Sequence, residues 1–132
     1  MKDLTSRALN LAQLRGARYA DIRIVDTREQ VVSVKNGNVD AIGDVGSCGF
    51  GVRVLFGDSW GFASGATLNA PEVDRVTSLA MEIAMASAVI PGETVDLGPA
   101  VASTGQYVTP IAIDPSSVSK TEYGTMVGCS LP

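Results

Sequence analysis

The chain opens with Leu4, Ala8, Leu11 and Ala12 at the i, i+4, i+7, i+8 spacing, which predicts an amphipathic helix over residues 3–15. Asp3 or Thr5 is placed to cap its start and Gly16 to end it. The period then drops to two. In "YADIRIVDT", Ala20, Ile22 and Ile24 face one way and Asp21, Arg23 and Val25 the other, as in a half-buried strand. "QVVSVK" predicts a second strand, and Asn36-Gly37 a two-residue hairpin turn, because both positions tolerate positive φ. "NVDAIG" returns as a third. "GFGVRVLF" sets Phe50, Val52, Val54 and Phe56 on one face, Gly57-Asp58 turns the chain, and "SWGFAS" completes an antiparallel meander of about five strands.

A second helix is announced by "NAPE": Asn69 as N-cap, Pro71 in the first turn and Glu72 at the capping-box position. Val73, Val76, Ala80, Ile83 and Ser87 then trace its expected apolar stripe to about Ala88. Such a meander needs one face covered, so the expected fold is α+β, an antiparallel sheet with two helices packed on one face. Residues 1–90 are expected to form this domain. Residues 91–132 read as a loop, an extended segment "YVTPIAID", and the start of a helix at "SKTE", 119–122. Gly124, Gly128 and Pro132 follow so closely that the element reads as cut short.

Composition narrows the function. The 45% hydrophobic content in 132 residues supports one globular domain rather than a disordered chain. Ten basic residues are scattered singly among fourteen acidic ones, for a net charge of −4, so no basic surface for direct nucleic-acid binding is expected. The N-terminus lacks the apolar core of a signal peptide, and "SLAMEIAMASAVI" is short and carries Glu82, against a membrane span. Cys48 and Cys129 make no disulfide framework, and a reducing cytoplasm is expected.

There is no histidine in the sequence. That excludes a Ser-His-Asp site, an HExxH zinc site and any His-based proton relay built from this chain. "GSCGFG", 46–51, leads into a strand rather than a helix, so its glycines read as strand-bending rather than phosphate-cradling. Cys48 beside them is expected to be a buried, inert thiol. Asp21, Asp26, Asp40, Asp44 and Asp58 have no calcium-loop spacing and read as solvated positions. Arg23 and Arg53 suit either a carboxylate-bearing ligand or a cross-strand acid, and the second is favoured. Trp60 suits either a partner anchor or the core, and its phase with Phe62 favours the core.

These stretches resemble the N-terminal domain of the TldD/PmbA family, also called modulators of DNA gyrase. The resemblance is carried by "ADIR" at 20–23, "VKNG" at 34–37, "GVRVL" at 51–55, "WGFA" at 60–63 and "NAPEVDRV" at 69–76, over residues 1 to about 90. "DPSSVS" at 114–119 is similar to the family's Asp-Pro segment. The resemblance implies zinc metallopeptidases, or zinc-less partners of them, that act on peptides and partly unfolded proteins in the cytoplasm as homo- or heterodimers enclosing a chamber. It places the HExxxH zinc motif downstream of this domain, in much longer chains, so no cofactor and no catalytic or metal-binding residue is assigned to this one. The implied role is a scaffold and chamber wall, catalytically silent, with strand edges open to an extended peptide. Arg53, Trp60, Asn36 and Gly37 are the candidate contact residues. The alternatives are a stand-alone peptide- or protein-binding module and, third, a small-ligand-binding domain.

Overall fold

The computed structural model describes residues 1–36, 38–90, 92–99 and 101–118. The order is α1 (Lys2–Leu14), β1 (Tyr19–Lys35), β2 (Asn38–Phe56), β3 (Ser59–Gly65), α2 (Ala70–Ser87) and a single 3₁₀ turn at Pro115–Ser117. The sheet has three strands in the order β1-β2-β3, with β3 antiparallel to β2. The α+β class stands, whereas the count of five strands does not. "YADIRIVDT" and "QVVSVK" are one continuous strand of 17 residues, and "NVDAIG" and "GFGVRVLF" one of 19. Arg28–Glu29 and Asp44 to Cys48, between those stretches, lack an apolar face. There the strands expose both faces, so the side-chain alternation fades while the backbone stays extended.

The chain divides into two compact units, Met1–Thr27 with Ser47–Gly98, and Arg28–Gly46 with Pro99–Pro132. The first holds the core. Ala8 and Ala12 of α1, Phe50, Val52 and Val54 of β2, Ala63 of β3, and Val73, Val76, Ala80, Met81 and Ala84 of α2 form one buried cluster. Ala20, Ile22 and Ile24 pack against it, on the face their alternation predicted. Helix α2 lies against β3, and α1 against α2. In the second unit Val31, Val39, Ile42 and Val45 are exposed, and the described residues after Pro99 form no strand.

Three local details of the first unit depart from expectation. Met1, rather than Asp3 or Thr5, is the N-cap of α1, and its side chain makes no capping bond. Gly16 ends the helix at φ +87, a conformation that favours glycine. On α2, Asn69 caps as expected, its side chain accepting from Glu72 N at 2.9 Å. The buried stripe then turns to Thr77, Met81 and Ala84, leaving Ile83 and Ser87 outside. The cause lies at Gly61 of β3, where a Cβ would press on the Ala80 carbonyl oxygen and stand 2.6 Å from Ala84 N. The helix backbone approaches so closely that only small residues fit between, and Gly61 and Ala63 face it. Trp60 and Phe62 are therefore on the opposite face, 36% and 58% exposed, and the expected core position for Trp60 is corrected.

Past α2, the backbone of residue 95 is tied to the β2–β3 turn. Asp58 Oδ1 accepts from Val95 N at 3.1 Å and from Arg18 Nη1 at 2.8 Å, and Arg18 Nη2 donates to the Val95 carbonyl. The "SKTE" helix start, with Cys129, lies outside the described residues. No helix among them is long and apolar enough to cross a membrane.

Candidate functional site

Alternation assigns each strand of the first unit two faces, and the helices cover one. The other face carries Tyr19, Asp21, Arg23 and Val25 from β1, Gly49, Gly51 and Arg53 from β2, and Trp60, Phe62 and Ser64 from β3. Arg53 stands opposite Phe62 in the register, and Gly51 opposite Ser64. Leu55, opposite Trp60, is buried at one end of this face without belonging to the core cluster.

Arg53 and Trp60 are brought together. The guanidinium lies 4.9 Å from the centre of the Trp60 ring, and Tyr19 meets the same ring edge-on at 5.9 Å between centroids. Asp21 Oδ2 accepts from Arg53 Nε at 2.8 Å and Nη2 at 2.7 Å across the strands. That bond, then the charge of Asp21, raises the pKa of Arg53 above its ordinary value, with a smaller contribution from Tyr19. The cross-strand pair favoured for Arg53 is thus present. Asn36 belongs to the other unit, at the hairpin tip, with φ +52 and its carbonyl accepting from Asn38 Nδ2 at 3.3 Å. Gly37 lies outside the described residues.

Beside the Arg53 cluster is a groove of about 400 Å³, lined by Asp21, Arg23, Val25, Gly49, Phe50, Gly51, Arg53, Phe62 and Ser64. Gly51 shapes it. A Cβ there would stand 2.7 Å from the Phe62 ring, so the missing side chain lets that ring lie diagonally across β2. Arg23, unlike Arg53, has no ion pair among the described residues. The sequence offered the two arginines as equals; the signal that separates them is that Asp21 is reached by only one.

Cys48 is exposed on β2, which overturns the expectation of a buried thiol. Zinc, implied by the family resemblance, does not fit here. Among the described residues no three His, Cys, Asp or Glu side chains converge, and the sequence has no histidine. No chemistry through zinc is derived from these residues.

Residues 20–84 match the family model described as PmbA/TldA metallopeptidase domain 1. Through this domain, the chain belongs to the TldD/PmbA family. It is 30% identical over 69 residues to a metalloprotease of Methanocaldococcus jannaschii, a match covering 52% of this chain and 15% of that protein. Among solved structures it is similar to TldE of Thermococcus kodakarensis, with a TM-score of 0.65 and 11% identity over 93% of this chain and 28% of that one. A Thermotoga maritima protein named as a modulator of a DNA gyrase gives a TM-score of 0.59 and 21% identity, over 92% and 26%. At such identities the two structures speak for the TldD/PmbA fold alone. The chain spans about a quarter of them, and less of the archaeal metalloprotease.

Proposed function

We propose that this chain is the scaffold and chamber-wall domain of a TldD/PmbA-type metallopeptidase acting on peptides or unfolded proteins, and is itself catalytically silent. The observation that carries the reading is the match of residues 20–84 to the first metallopeptidase domain. A sequence without histidine cannot contain the HExxxH motif, so zinc and its ligands must be supplied by other residues of the assembly. The domain's part is then mechanical: a helix-backed sheet presents a rigid polar and aromatic face, and works in the cytoplasm as one half of a homo- or heterodimer with a family member.

A chimera tests this. Residues 1–98 replace the first domain of the Methanocaldococcus jannaschii metalloprotease, and hydrolysis of an unfolded protein is followed with zinc and with chelator. Chelator-sensitive hydrolysis by the chimera and none by the 132-residue chain is the expected result. Chelator-sensitive cleavage by the purified chain alone would overturn silence, and a chimera that folds and assembles but does not cleave would overturn the scaffold role.

A further inference from the structure

The groove on the helix-free face of the sheet combines three features that one ligand can use. Arg23 is exposed and has no ion pair among the described residues, whereas the neighbouring Arg53 is held by Asp21. Phe62 and Val25 supply exposed apolar walls 58% and 51% accessible. Gly49 adds no side chain to the floor, and the Phe62 ring, lying over Gly51, brings its apolar surface to the groove.

An arginine fork without a carboxylate is a receptor for one, because its planar donors match a carboxylate in bidentate geometry. The apolar walls exclude a ligand that is only an anion, since phosphate or citrate would leave Phe62 and Val25 uncovered. The sign of the charge excludes a basic peptide. Asp21 is the one acidic side chain among the described residues of the lining, and Arg53 already occupies it.

We propose that this groove binds an extended acidic-apolar polypeptide segment, with a Glu or Asp carboxylate on Arg23 and an adjacent aromatic or aliphatic side chain on Phe62. The site does not depend on the chain being a peptidase domain. A scaffold can lack it, and a free-standing domain can carry it.

The probe is a fluorescein-labelled peptide alternating glutamate with phenylalanine, titrated with the full chain and read by anisotropy at low and high salt. The same peptide with glutamine or lysine for glutamate serves as comparison. Trp60, the only tryptophan in the sequence, contacts Arg53 at the groove's margin and reports occupancy by its emission. The glutamate peptide should bind, should weaken with salt and should shift the emission. Arg23→Gln should lower its affinity about fivefold, the size of an exposed ion pair. Arg23→Lys should restore part of it, and Ser64→Leu, which fills the groove, should abolish the emission shift. Arg23 and Ser64 are exposed, so these variants leave the fold intact, as a matching circular-dichroism spectrum would verify.

Absence of binding by the glutamate peptide, equal binding of the glutamine peptide, or indifference to Arg23→Gln would each overturn the proposal. So would an Arg23-dependent self-association in sedimentation with no peptide binding, since the groove's occupant would then be a second copy. None of these outcomes affects the chimera test.

Discussion

The two faces of β3 differ in a way that inverts the usual rule about large side chains. Toward the helices point Gly61 and Ala63, both buried; away from them point Trp60 and Phe62, both accessible. Burial here follows the distance to the next layer rather than residue size. Where α2 nearly touches the sheet backbone, there is room for a hydrogen atom and a methyl group. The aromatic residues then serve the other face, where Phe62 walls a groove and Trp60 contacts Tyr19 of β1 and Arg53 of β2. One strand thus divides its labour between a tightly packed side that fixes the fold and an open side available for recognition.

The sharpest way to break the contrast is the same small substitution on both faces. Gly61→Ala places a methyl against the Ala80 carbonyl and the Ala84 amide, both backbone atoms of a regular helix that cannot turn aside. The helix must lift from the sheet, at a cost of about 3 kcal/mol or more. Urea denaturation should show that loss as a shift of midpoint with little change of slope. A midpoint near that of the unmodified chain would mean that the helix does not sit so close.

Trp60→Ala tests the open face. It removes the edge-on contact with Tyr19 and the cation–π contact with Arg53, and should cost about 1–2 kcal/mol. Gly51→Ala should cost less than about 1 kcal/mol. Its methyl presses on the Phe62 ring at 2.7 Å and touches the Ala63 carbonyl at an ordinary 3.9 Å, and an exposed ring can swing away. Equal costs for Gly61→Ala and Gly51→Ala would erase the distinction between the faces.

The extent to which the sequence foretold this follows from the same contrast. Alternation located both faces of β1 and β2 correctly, and Asn69 and Pro71 marked the start of α2, because these signals are local. For Trp60 and Phe62 alternation gave the right pairing but not the side, since period two divides a strand into two sets and cannot say which is inside. The shared phase of two aromatic residues pointed to the wrong set. What decided the matter was the approach of α2, a contact between residues about twenty apart in sequence that no local pattern records. The strand count failed for a related reason. Where neither face is buried, at Arg28–Glu29 and Asp44 to Cys48, apolar alternation has no cause, and an exposed strand reads like a loop. Arg23 and Arg53 were legible as a pair of equals, and only the Asp21–Arg53 ion pair, a contact between strands, tells them apart.

The smallest effect concerns a charge pair on the covered side, where α1 is tied to α2. Arg7 Nε and Nη2 donate to the two oxygens of Asp74 at 2.6 and 2.7 Å. That hydrogen bonding, opposed in part by desolvation and aided by the guanidinium charge, holds the Asp74 carboxyl below its ordinary pKa. Because the unfolded chain binds the proton more readily, this contribution is present above the unfolded carboxylate's pKa. It is lost as pH falls through the lower folded value. Both side chains are well exposed, so solvent and salt screen the pair and the loss should be slight. Thermal melts from neutral pH down through the carboxylate range should therefore show a shallow acid-side decline, flattened but not removed by Asp74→Asn. A remainder is expected because Glu72, bonded by Arg75 within α2, is shifted in the same direction. If Asp74→Asn instead collapsed the fold at neutral pH, the bond between the helices rather than the close packing at Gly61 would be what holds the covered face together.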